Sequence, residues 1–184
     1  MSADFEESVR IVIAGGPGFG KTSVISGLEQ LGYPVFHEIS RHVLEEEKEK
    51  DSDILPWKNH KAFNEALFNA RVEQYKAGES VQGTCFYDRG LPDSIGYCIA
   101  NNEEIPPSFL ERAQTFRYFS KVFITPFWEE IYQKDAQRWE EIDFAKKVNE
   151  SIEEAYRMCG YEVIELPKVS IGERISFILK EAGL

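Results

Sequence analysis

Val9-Arg-Ile-Val-Ile-Ala-Gly15-Gly-Pro-Gly-Phe-Gly-Lys21-Thr22 is the stretch whose reading decides the fold. Its first six residues form a β-branched run ending in glycine, which reads as a buried strand, and Thr22 to Leu31 reads as a helix closed by Gly32. Between them, Gly15 to Thr22 satisfies G-x-x-x-x-G-K-[ST] in full, in the strand–turn–helix context that the motif requires. Glycines let backbone N–H groups converge on phosphate oxygens, and the helix N-terminus adds positive potential. Gly15, Gly16, Pro17, Gly18, Phe19 and Gly20 are therefore expected to wrap a nucleoside triphosphate, with Ser23 just inside the helix. Lys21 is expected to reach the β and γ phosphates and Thr22 to ligate Mg²⁺. A glycine-rich turn with no ligand is the structural alternative.

Two competing motifs fail on spacing. Glu38 lies where a ribose-binding acid would follow a second strand, but a dinucleotide fingerprint starting at Gly16 puts Lys21 at its third glycine, and one starting at Gly18 puts Ser23 there. His37-Glu-Ile-Ser-Arg-His42 approaches a zinc-protease motif, yet its histidines are five apart, about 140° around a helix rather than on one face. Both read as packing or surface residues.

Further strands are expected at Tyr33–His37, Thr84–Tyr87, Lys121–Thr125 and Tyr161–Leu166. The long stretches between them favour parallel pairing in an α/β fold. Ile142, Ala145, Val148, Ile152, Ala155 and Tyr156 form one helical stripe, and Ile171, Ile175, Ile178 and Leu179 another. Ser170-Ile-Gly-Glu173 is a capping box for the second. Pro92 opens a helix running to about Asn101, and Pro106-Pro107 opens the next. Glu45 to Asp51 reads as a solvated helix end. No linker or repeat interrupts residues 1–184, so one domain is expected.

Composition narrows the function. Lys+Arg 21 against Asp+Glu 32 leaves a net charge of −11, which disfavours a nonspecific nucleic-acid or anionic-membrane surface and makes any phosphate site local. Cys85, Cys98 and Cys159 are dispersed and odd in number, which fits buried thiols in a reducing compartment rather than a disulfide scaffold or zinc site. With no signal-like or membrane-spanning run, the chain is expected to be cytoplasmic.

Asp88 follows the third strand, where ligands of α/β folds collect, and is the natural partner for Mg²⁺; capping the helix begun near Pro92 is its alternative role. With these residues the chain resembles the small P-loop ATPases that carry an AAA-like domain label, a family that includes the nucleotide-binding domain of animal TRPL translocation defect proteins. Glu38 with Arg41, Leu55-Pro-Trp57, Asp88-Arg-Gly-Leu-Pro-Asp-Ser94, Tyr132 with Asp135 and Arg138, and Gly160-Tyr-Glu-Val-Ile-Glu-Leu-Pro167 extend the resemblance over nearly the whole chain. It implies the three-layer P-loop NTPase sandwich of nucleoside and nucleotide kinases, with five parallel strands ordered 2-3-1-4-5 and a lid near residues 127–143.

The resemblance further implies roles. Glu38 would face the phosphate acceptor as general base, with a helix-start acid as its alternative. Arg89 would orient Glu38 or bind acceptor or phosphate, and Arg138 would contact the γ-phosphate from the lid. Pro167 and Val169 would wrap adenine. No Asn-Lys-x-Asp occurs, but GTP stays open beside ATP. The expected function is Mg-dependent ATP hydrolysis or phosphoryl transfer to a small, unidentified metabolite, in a pocket between Glu38, Trp57, Arg89 and Asp93. The alternative is a nucleotide-dependent binding module that hydrolyses slowly and switches a protein partner's surface; the net negative charge argues against lipid headgroups as its target.

Overall fold

A computed structural model describes residues 8–130 and 139–184. Strand β1 (Val9–Gly15) lies at the centre of a five-stranded sheet, between β3 (Thr84–Asp88) and β4 (Lys121–Thr125). The edges are β2 (Val35–Phe36), paired with β3, and β5 (Glu162–Glu165), paired with β4. All pairings are parallel, and the order is β2-β3-β1-β4-β5.

Two-sided burial explains why β1 is apolar at nearly every position. Ile11 and Ile13 face α1 (Lys21–Gln30) and α7 (Ile171–Ala182), packing with Val24, Ile25, Leu28, Ile175 and Ile178. Val12 and Ala14 face the opposite layer, built by α3 (His60–Ala77), α4 (Leu91–Ala100), α5 (Pro107–Thr115) and α6 (Trp139–Met158). Successive side chains of a strand point to opposite faces, so a strand covered on both sides has no position left for a polar residue. α4 and α6 approach closely at Gly96, where a Cβ would meet Ile152 Cα at 2.7 Å. α2 (Ser40–Glu49) packs outside this layer, its Val43 against Phe63 and Leu67 of α3.

Element boundaries differ modestly from expectation. β2 is two residues long, because an edge strand with one neighbour pairs only over Val35 and Phe36. Ile171, expected in the core, is 48% exposed as the first residue of α7, while Ile175 and Ile178 further along are buried. The Ser170–Glu173 capping box forms, with Ser170 Oγ accepting from Glu173 N. All three cysteines are free and buried. Among the described residues, no helix is long and apolar enough to cross a membrane.

Candidate active site

The turn from β1 into α1 places the glycine-rich loop at the carboxyl end of the central strand. Gly20, the residue before α1, has φ +85°, a left-handed conformation that glycine adopts without steric penalty. Among the described residues no side chain caps the helix, which leaves its first N–H groups available at a positive dipole end. Pro17, Gly18, Thr22 and Ser23 are exposed, whereas Gly15, Gly16 and Phe19 are buried and tie the loop down. Gly16 N donates to Asn149 Oδ1 at 2.8 Å, fixing the loop to α6, and the Phe19 ring packs against Phe127 at 5.5 Å.

Lys21 folds back over the loop, its Nζ donating to Gly15 O at 2.9 Å and Gly16 O at 2.7 Å. Burial, reinforced by repulsion from Arg89, lowers its pKa to about 7. An arriving phosphate anion would restore the charge that burial penalises.

Asp88 sits at the end of β3 with Oδ1 buried and, among the described residues, unpaired. Burial pushes its carboxyl above the usual carboxylate range, against the pull of Lys21. The expected capping role falls instead to Asp93, whose Oδ2 accepts from Gly90 N at 2.9 Å at the start of α4. Among the described residues no three His, Cys, Asp or Glu cluster as a metal cage. Magnesium needs none, since it keeps waters and binds through one or two protein oxygens plus phosphates. An orphaned carboxylate oxygen beside Lys21, with the Thr22 hydroxyl in the same cavity wall, suits that coordination.

On the far side of Asp88 a buried ionic cluster forms. Glu38, after β2, pairs with Arg89 Nε, and Arg71 Nη2 of α3 lies 3.6 Å from its other oxygen. Burial favours the neutral acid, but Arg89 and Arg71 outweigh it, and Ser40 N adds a hydrogen bond, so the Glu38 pKa is lowered. Arg89 has φ +75°, a conformation costly for a residue with a Cβ. It is held there by Glu38, by Asp93 Oδ1 at 3.0 Å and by Gly15 O at 3.1 Å. Tyr156 of α6 donates to Asp93 Oδ2 at 2.7 Å, and Arg71 Nη1 donates to Ser94 Oγ at 2.6 Å. Glu38 thus supports the start of α2 and also lines the cleft.

A cavity of about 620 Å³ joins the two halves. Lys21, Thr22 and Asp88 border it on the loop side; Glu38, Arg71 and Arg89 border its other end, with Pro56, Phe63, Leu67 and Tyr97 as apolar walls. Two expected wall residues are elsewhere. Trp57 is 64% exposed with Lys48 Nζ over its ring at 5.4 Å, and Asp93 is fully buried behind Arg89. Arg71, Asn64, Asn149 and Tyr156 belong to the site and were not expected there; Tyr156 has only the sequence signature of an apolar stripe.

A smaller cavity of about 290 Å³ opens on the other side of the loop, bordered by Phe19, Phe127, Lys146, Glu165 and Lys168. Pro167 and Val169 lie in the same β5–α7 turn without lining it, and Arg174 Nε donates to Pro167 O at 3.0 Å. Residues 131–138 of the expected lid, Arg138 among them, fall outside the described residues.

With this geometry in view, sequence comparison matches residues 10–174 to the AAA domain family. The chain belongs to that family. No curated protein matches the sequence. Solved structures similar to this AAA-domain protein include deoxyadenosine kinase from M. mycoides with bound dATP (TM-score 0.61, 16% identity, 96% of this chain and 100% of that one). Thymidylate kinase from Ehrlichia chaffeensis is also similar (0.66, 14%, 96% and 99%), as is shikimate kinase from Acinetobacter baumannii in complex with shikimate (0.56, 16%, 97% and 94%). At such identities the likeness is one of fold: this AAA-domain protein has the kinase-like P-loop NTPase architecture.

Proposed function

We propose that the protein is a small-molecule kinase that transfers the γ-phosphoryl group of ATP to a hydroxyl bound beside Glu38. The observation that carries the reading is the cavity that runs from Lys21 past Asp88 to Glu38, an ionised carboxylate on the acceptor side of the phosphate loop. A switch that only bound and slowly hydrolysed nucleotide would have no use for a roomy second half.

In this reading the loop amides and Lys21 hold the β and γ phosphates, and Arg89 and Arg71 fix Glu38 so that one oxygen meets the acceptor hydroxyl. The acceptor oxygen forms the new bond to the γ-phosphorus. The bond from that phosphorus to the β,γ-bridging oxygen breaks, its electron pair leaving on ADP, and the hydroxyl proton passes to Glu38. The low pKa of Glu38 makes it a weak base, which suffices where the transition state is loose and positioning supplies most of the catalysis. Magnesium, held by Asp88 and Thr22, would neutralise charge on the transferring phosphoryl oxygens.

ADP release from MgATP, measured against pools of small metabolites, tests the proposal. Stimulation by a small molecule, absent in Lys21→Ala, is expected; stimulation only by a protein would overturn the kinase in favour of the switch.

A further inference from the structure

Resting on the kinase reading, the acceptor half of the cavity also specifies what class of hydroxyl compound it takes. Both buried guanidiniums there are already neutralised. Arg89 meets Glu38, Asp93 and Gly15 O; Arg71 meets Ser94 Oγ and lies near Glu38. Two cations against two carboxylates leave no net charge. His60, also in the wall, has Nδ1 3.1 Å from Glu103 Oε1. Among the described residues, the remaining cation of this half, Arg41, is exposed at the rim, where solvent screens its attraction. A phosphomonoester or carboxylate entering this half would lose its hydration and meet a carboxylate with its counter-charges already engaged, a costly exchange.

The rest of the wall is suited to an uncharged ring. Phe63 and Leu67 of α3, Pro56 and Tyr97 supply apolar and aromatic surface. Asn64, 3% exposed, adds one polar reader. Its Nδ2 donates to Ser94 O at 2.8 Å, which sets the orientation of the amide, because a flip would press Oδ1 against that carbonyl. Oδ1 is then a buried acceptor with no donor among the described residues. Buried polar atoms are nearly always paired, and because Asn64 borders the cavity, a ring or sugar donor that draws its amide toward the ligand would supply the partner Oδ1 lacks.

We infer that the acceptor is an uncharged, ring-bearing hydroxyl compound of the nucleoside class, rather than a phosphomonoester or a hydroxycarboxylate. Its ring lies between the α3 face and Tyr97, and its hydroxyl points to Glu38.

Titration calorimetry on the wild-type protein, saturated with a non-hydrolysable MgATP analogue, tests this with ribonucleosides and 2′-deoxyribonucleosides, each against its own 5′-monophosphate. The paired ligands share ring and sugar and differ in the phosphate. At least one nucleoside should bind tenfold or more tightly than its monophosphate, and the same nucleoside with MgATP should stimulate ADP release with matching phosphorylated product. Asn64→Leu should weaken that nucleoside at least tenfold with MgATP affinity unchanged, the latter serving as the folding control. Tighter binding or phosphorylation of a monophosphate overturns the inference while leaving the kinase reading intact. Binding of neither ligand class also overturns it, and the kinase reading then stands or falls on the metabolite-pool measurement above.

Discussion

Around Lys21 the cleft is built from one unbroken stretch of main chain, whereas around Glu38 it is built from side chains that five separate elements bring together. The loop half depends on backbone conformation, with Gly20 at φ +85° and Lys21 folded onto Gly15 O and Gly16 O. The Glu38 half depends on a closed network in which Glu38, Arg71, Arg89, Asp93 and Tyr156 hold one another. A loop of main chain tolerates loss of a side chain. A buried ionic network does not, because removing one member strands the charge of another.

The largest expected effect follows from that contrast. Asp93→Ala leaves Arg89 facing Glu38 without its second carboxylate and removes the partner of Gly90 N, so urea unfolding should show a loss of about 3–5 kcal/mol. Equal stability of Asp93→Ala and wild type would break the comparison.

Lys21→Ala should behave oppositely, keeping the stability of the fold while losing about 100-fold in MgATP affinity by calorimetry, the scale of losing charge-assisted contacts to two phosphates. Unchanged affinity would remove the loop from the nucleotide site. Tyr156→Phe is smaller. It deletes one of two donors to Asp93 Oδ2, and a loss of about 1.5 kcal/mol in unfolding is expected, with MgATP affinity unaltered.

The smallest effect is in pH dependence. The folded pKa of Glu38 lies below its ordinary value of 4.5, so its ion pairs contribute fully above that pH and lose their contribution only as pH falls through the folded value. The stability difference between wild type and Glu38→Gln should therefore stay constant from neutrality down to about pH 4.5 and shrink below it. Shrinkage already between pH 7 and 6 would mean that the guanidiniums do not control this carboxyl.

The same contrast governs what could be read from the residues alone. β1, the loop and the start of α1 are contiguous, and their periodicity, glycines and Lys21-Thr22 occur within fourteen residues, so both fold and motif are visible there. β4 is visible because Val122, Phe123 and Ile124, buried between two layers, make an uninterrupted apolar run. α3 is not, although it is 18 residues long, because buried Asn64 and Arg71 interrupt the apolar stripe of Phe63, Leu67 and Val72. Those interruptions line the cavity. Tyr156 was legible as a core residue, but nothing local announces that its hydroxyl reaches Asp93. Trp57 misleads in the other direction: an aromatic after Pro56 suggests core packing first and a stacking platform second, yet the ring does neither and lies outside the cavity on an exposed turn.

The proposal that the two halves divide nucleotide binding from acceptor chemistry is tested most directly by Glu38→Gln, which keeps size and hydrogen bonding but removes basicity. MgATP affinity and the rate of phosphoryl transfer to the best small-molecule acceptor should be measured side by side on the variant and the wild type. The division predicts MgATP affinity within about twofold of wild type and transfer slower by about 10²-fold, the scale of losing a general base. Transfer at the wild-type rate, or a parallel fall in MgATP affinity and transfer, would contradict it.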